Sequence, residues 1–159
     1  MNLGENTLSR RFSMRGVTMT ELVVVLAVMA ILSAIAMPQY VAWRQNLVYR
    51  EATRDIVMSL REARSKALST NREHRVEIQS TAGMYRITCG NRSANSTNWS
   101  VVVRNWMPLP PAISIKASTK SIQLNTNGTA TAGHIVILDS CAQEKYRVIV
   151  APTGKIRVS

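Results

Sequence analysis

The sequence predicts an α+β fold: a long N-terminal helix, membrane-spanning in its first half, packed on a C-terminal antiparallel β-sheet. Three observations predict it. Residues 22–37 read LVVVLAVMAILSAIAM, a run without charge in which Ser33 carries the one hydroxyl. Apolar residues then recur every three or four positions as far as residue 68, the period of an amphipathic helix. Beyond Ser69 the period drops to two, and turn residues separate the alternating stretches. At 159 residues the chain is one domain by length.

The apolar run lies between Arg10, Arg11 and Arg15 on one side and Pro38 on the other. Its amino end is therefore expected to stay cytoplasmic while the bulk of the chain is exported, although Arg44, Arg50 and Arg54 weaken the charge bias. Glu21 stands at the mouth of the run, where an ionisable group costs on the order of 3 kcal/mol in a membrane. Thr18, three residues earlier, forms a capping box with it. Ser33-Ala34-Ile35-Ala36 supplies part of a small-x-small cleavage site. An ordinary signal anchor and a conventional secretory signal are thus competing readings.

Pro38 should kink the helix without ending it, because the periodicity resumes directly afterwards. Over residues 40–68, Tyr49, Ala52, Ile56, Leu60, Ala63 and Ala67 make one apolar face, expected to back the sheet. Arg44, Arg50, Arg54, Arg61 and Arg64 cover much of the rest with Glu51, Asp55 and Glu62, as a solvated face with intrahelical ion pairs. The whole is one helix of roughly 50 residues.

Residues 75–79 and 84–88 alternate on either side of Thr81-Ala82-Gly83, a hairpin turn. Residues 99–103 and 113–117 are further strands. Residues 121–124 and 134–138 flank Asn127-Gly128, a strong hairpin signal. Residues 91–98 read as an Asn/Ser-rich loop, whose sequons at Asn91, Asn95 and Asn98 are taken as loop polarity. Residues 107–111 read as a stiff extended connector. Residues 145–151 alternate, Pro152-Thr153-Gly154 turns, and residues 155–158 return. With that loop, Ala151 faces Lys155 and Ile149 faces Arg157. Lys145, Arg147, Lys155 and Arg157 then share one face, with Tyr146, Val148, Ile156 and Val158 on the other. Four cations on so short a hairpin repel one another unless an anion is near.

The stretch Arg15-Gly16-Val17-Thr18-Met19-Thr20-Glu21, with the apolar run behind it, resembles the class III signal of type IV prepilins and pseudopilins. The resemblance implies a pilin-like fold and a peptidase cut between Gly16 and Val17. It makes Glu21 the fifth residue of the mature chain and gives it a part in assembly. The mature chain would begin with Val17 where the family usually has Phe, at the amine that the family methylates. The implied organisation is a leader over residues 1–16, a transmembrane and assembly helix over 17–39, and a periplasmic globular domain over 40–159. The implied partners are prepilin peptidase, other major and minor pilins, and the bacterial inner membrane before assembly into a pilus fibre or tip.

The ending Gly154-Lys155-Ile156-Arg157 resembles the Gly-Arg-x-Arg terminus of FimT/GspH-type minor pilins. In FimT proteins that terminus is implicated in binding DNA during natural transformation. The resemblance makes Lys155 and Arg157, with Arg147 and Lys145 beside them, the candidate DNA contacts. Lys155 keeps the charge of the family's arginine without its bidentate fork.

Charge fits such a partner. Of 20 basic and 9 acidic residues, loss of the leader removes three arginines and one glutamate, leaving 17 and 8, formally +9. Such an excess favours nucleic acid, lipid head groups or acidic polymers. Cys89 and Cys141, exported to an oxidising compartment, are expected to form a disulfide. It would close a loop of about 50 residues, worth roughly 4 kcal/mol. Two free thiols are the alternative.

His74 and His134 lie far apart without metal-ligand spacing and are expected in structural roles at strand edges. There is no phosphate-binding glycine loop and no nucleophile elbow. Neither catalysis nor a metal or cofactor is expected. Two function classes remain. One is a minor pilin that contacts DNA phosphates without regard to sequence. The other is a structural minor pseudopilin that primes a pilus or serves a type II secretion system.

Overall fold

The computed structural model describes residues 18–111 and 113–159. Helix α1 spans Met19–Thr70 and eight strands follow: β1 His74–Gln79, β2 Met84–Cys89, β3 Val101–Pro108, β4 Ser114–Ala117, β5 Ser121–Leu124, β6 Gly133–Leu138, β7 Glu144–Val150 and β8 Ile156–Val158. The helix starts where its cap dictates: the Glu21 backbone N–H donates to Thr18 Oγ1 at 3.2 Å. Pro38 lies inside it. Proline has no N–H, so the Ala34 carbonyl loses its usual donor while the helix continues. Asn71, at φ 49°, adopts the left-handed conformation that stops a helix.

The chain divides into two compact units at Ala42/Trp43. In the first, an 18-residue window of α1 is long and apolar enough to cross a membrane, and none of it is buried. In the second, the six residues expected on the apolar face, Tyr49, Ala52, Ile56, Leu60, Ala63 and Ala67, are all buried, joined by Thr53, Val57 and Ser59. They share one core with Val76, Ile87 and Ile122 of β1, β2 and β5, and with Ile115, Ile137 and Val148 of β4, β6 and β7. Burial of such side chains, each contributing about 1.5–3 kcal/mol, holds the helix on the strands.

The strands form two four-stranded sheets, ordered β3-β2-β1-β5 and β4-β6-β7-β8. The β1–β2 hairpin closes as expected, with Gln79 opposite Met84 and Gly83 at φ 59°. The expected β5–β6 hairpin is corrected. Asn127-Gly128 does turn, with Gly128 at φ 82° donating its N–H to the Asn125 carbonyl at 3.0 Å. Yet β5 pairs with β1, whereas β6 pairs with β4 and β7. The turn carries the chain from one sheet to the other. Turn chemistry is local, but a strand's partner is chosen by the tertiary fold. For the same reason residues 107 and 108 extend β3 and do not act as a connector.

The expected disulfide is also corrected: both cysteines are free. Cys89 is buried at the end of β2 and donates to the Gly90 carbonyl at 3.3 Å, whereas Cys141 is exposed in the β6–β7 turn of the other sheet. An oxidising compartment would permit a bond, but the fold puts one thiol at the end of β2 and the other in a turn of the second sheet. The 91–98 loop is polar because side-chain oxygens, from within it and from Glu73, satisfy its backbone N–H groups. Glu73 accepts the backbone N–H groups of Asn95 and Ser96 at 3.0 and 2.7 Å, and Asn91 accepts those of Thr97 and Asn98.

Candidate functional site: the C-terminal basic hairpin and the helix start

The β7–β8 hairpin forms in the expected register, with Ile149 opposite Arg157 and Val150 opposite Ile156. Gly154, at φ 74°, donates its N–H to the Ala151 carbonyl at 2.8 Å, and Ala151 donates to the Lys155 carbonyl at 2.9 Å. Val148 and Val150 are buried in the core, with Tyr146 and Ile156 packed against it. That burial fixes which side of the hairpin faces water. Lys155 and Arg157 are exposed, and no carboxylate among the described residues pairs with either.

Lys145 and Arg147 differ from them. Tyr146 and Glu144 oppose consecutive residues of β6, Ile137 and Leu138, so Lys145 is the extra residue of a β-bulge. Its ammonium lies 3.2 Å from Asp139. Arg147 grips Glu144 with two hydrogen bonds of 2.7 Å, from Nε and Nη2. That grip holds the Glu144 carboxyl below its ordinary range and raises the guanidinium's own pKa. Asp139 is likewise held low, first by the Gln143 backbone N–H and then by Lys145 and the Cys141 N–H. The repulsion expected among four cations is thus relieved by two carboxylates, Glu144 of β7 and Asp139 just past β6. A groove of about 620 Å³ runs beside the hairpin, lined by His134, Arg147, Ile149 and Pro152 among others.

At the other end of the chain, Glu21 is exposed in the first turn of α1. Gly16 and Val17, the expected cleavage site, lie outside the described residues. A carboxylate at this turn faces the positive end of the helix dipole.

Residues 52–154 match the family described as type II transport protein GspH. The chain belongs to the GspH family. Its fold agrees with solved structures of low identity. EpsH, a minor pseudopilin of the Vibrio cholerae type 2 secretion system, aligns with a TM-score of 0.57 at 13% identity, covering 69% of this chain and 94% of that one. The Pseudomonas aeruginosa type IV minor pilin FimU gives 0.55 at 16%, covering 69% and 87%. Escherichia coli GspH gives 0.53 at 12%, covering 72% and 89%. No curated protein matches the sequence. Family and fold together are those of minor pilins and pseudopilins.

In this GspH-family chain, one residue expected on the solvated helix face has another place. Arg64 is half-buried, and its Nε is enclosed without a hydrogen-bond partner among the described residues. A Cβ on Gly154 would lie 3.1 Å from that nitrogen, and one on Gly128 would lie 3.4 Å from Arg64 Nη2. Arg64 therefore supports two turns from beneath, the one between the sheets and the one at the hairpin tip. Arg61 is exposed, as expected. His74, expected at a strand edge, begins β1 but is only 2% exposed, with Nδ1 3.0 Å from the Arg72 carbonyl. Burial pushes its pKa down. His134 is exposed on β6. Sequence reasoning missed Asp139, Glu144 and Arg64 as parts of this site. The bulge and the close approach of two turns left no local signal for any of them.

Proposed function

We propose that this chain is a FimT-like minor pilin that binds DNA without sequence preference, for uptake in natural transformation. On this reading prepilin peptidase cuts between Gly16 and Val17. Residues 17–39 hold the chain in the inner membrane, in a single pass with residues 40–159 in the periplasm, and later join it to other pilins in the fibre. The observation that carries the DNA reading is the pair Lys155 and Arg157, exposed and without a carboxylate partner among the described residues, on a hairpin whose other face lies in the core. A rigid strand pair presents such cations without the ordering cost that a loose tail would incur. Arg147 and Lys145, already held by Glu144 and Asp139, contribute less.

The test is the salt dependence of duplex binding by the full-length chain in non-ionic detergent. Replacing both Lys155 and Arg157 with glutamine should lower the slope of log affinity against log salt by about two, equally for unrelated sequences. Arg61→Gln serves as the control and should change little. A second reading has its own support. Carboxylates neutralise two of the hairpin's four cations, and the matching family is described by type II transport. Failure of the wild-type chain to bind duplex at low salt would favour that reading, a structural pseudopilin.

A further inference from the structure

A row of charged and aromatic side chains crosses the outer face of the β3-β2-β1-β5 sheet. The β1–β2 register sets Arg75 opposite Thr88 and Glu77 opposite Arg86. By alternation these four lie on the face away from Val76 and Ile87, which are in the core. Both arginines pair with Glu77. Each guanidinium also covers an indole, Arg75 at 4.4 Å from the Trp99 ring centre and Arg86 at 4.5 Å from that of Trp106. Beside this row opens a cleft of about 700 Å³, whose walls include Trp106, Arg75, Glu77 and Lys120. Trp106, 38% exposed, lines the cleft, whereas Arg86 does not. With Arg86 counted, three cations face one carboxylate, and the surface is cationic.

An exposed ring in an open cationic cleft suits a partner that carries both planar groups and regular negative charge. A nucleic-acid single strand has both, because each phosphate comes with an unpaired base whose face is free. A duplex keeps its bases stacked inside, and an acidic peptide offers charge without the rings. We propose that this sheet face binds single-stranded nucleic acid, with bases stacking on Trp106 and phosphates taken chiefly by Lys120, Arg75 being already paired with Glu77. Arg86 stacks on the same ring and holds it in place. The inference rests on the hairpin reading only in its choice of polymer; the surface, the residues and the strandedness differ.

Fluorescence anisotropy of the full-length chain in non-ionic detergent, with a labelled twelve-residue oligothymidine, tests it. An abasic strand of equal length should bind the wild type about tenfold more weakly, since stacking is removed and the phosphates remain. Trp106→Ala should weaken oligothymidine binding by about tenfold and leave duplex binding unchanged, while Trp106→Phe should retain most of it. The Lys155→Gln, Arg157→Gln double variant should show the converse, losing duplex and keeping the difference between oligothymidine and abasic strand. Equal wild-type affinity for the two strands overturns the proposal without recourse to any variant. A glutamate-rich peptide that binds at this face more tightly than oligothymidine overturns it too, and marks a protein-docking surface. Failure of duplex binding with the base dependence intact would sink the hairpin reading alone.

Discussion

Gly154 shows what one residue must satisfy at once. Its φ of 74° is the left-handed conformation that L side chains avoid at about 1–2 kcal/mol. Space is short as well, because an added Cβ would fall on the Gly128 carbonyl oxygen and crowd Arg64. Gly83 shares the conformation at φ 59° but not the crowding, since its nearest neighbour would be the Ile113 carbonyl at 3.9 Å. Gly83→Ala should therefore cost about 1 kcal/mol, and Gly154→Ala more than about 2 kcal/mol. Denaturant unfolding of the two variants measures the difference, and equal costs would show that the neighbouring turn does not demand glycine. The sequence flagged the turn at Gly154. It could not flag that the Gly128 backbone, 26 positions earlier, comes directly against it beside Arg64.

At the scale of elements, the hairpin and the helix were legible for different reasons. Strict alternation around Pro152-Thr153-Gly154 fixed the register of β7 and β8, because a one-residue slip would turn Val148 and Val150 out of the core. The charge state of the hairpin was not legible, because the bulge at Lys145 and the Glu144–Arg147 grip arise from strand pairing. Removing that grip gives a prediction. Glu144→Gln frees the guanidinium, so duplex binding should tighten and the salt slope should steepen by about one. An unchanged slope would mean that Arg147 does not reach the phosphates. The two thiols give another. A thiol reagent should label exposed Cys141 promptly in the native chain and buried Cys89 after unfolding, and labelling of neither in non-reduced protein would restore the bond.

For the whole molecule, the proposed reading gives assembly and recognition to different parts of the chain. The exposed apolar stretch of α1 has no packing partner among the described residues, whereas the second unit carries its own core. Glu21 opens that stretch. Inside a fibre of such helices its charge would be costly unless matched, and the α-amine of a neighbouring mature chain is the match proposed here. Glu21→Ala should then be cut normally and fail to enter fibres, as read by fractionating sheared filaments from membranes. Normal incorporation would remove the pairing argument.

The sequence by itself determined the elements and their faces: the apolar run, the buried stripe from Tyr49 to Ala67, and the hairpin that ends in Arg157. Each of these is written in a short-range period, of 3.6 or of two, that any stretch of chain carries within itself. The tertiary structure alone decided that eight strands divide into two sheets, that β5 and β6 part at Asn127-Gly128, and that Cys89 and Cys141 stay apart. It also brought Arg64 beneath Gly154 and stacked Arg86 on Trp106. Those outcomes depend on which strand edges and side chains meet when one core is filled, a choice made between residues distant in sequence that no local pattern records.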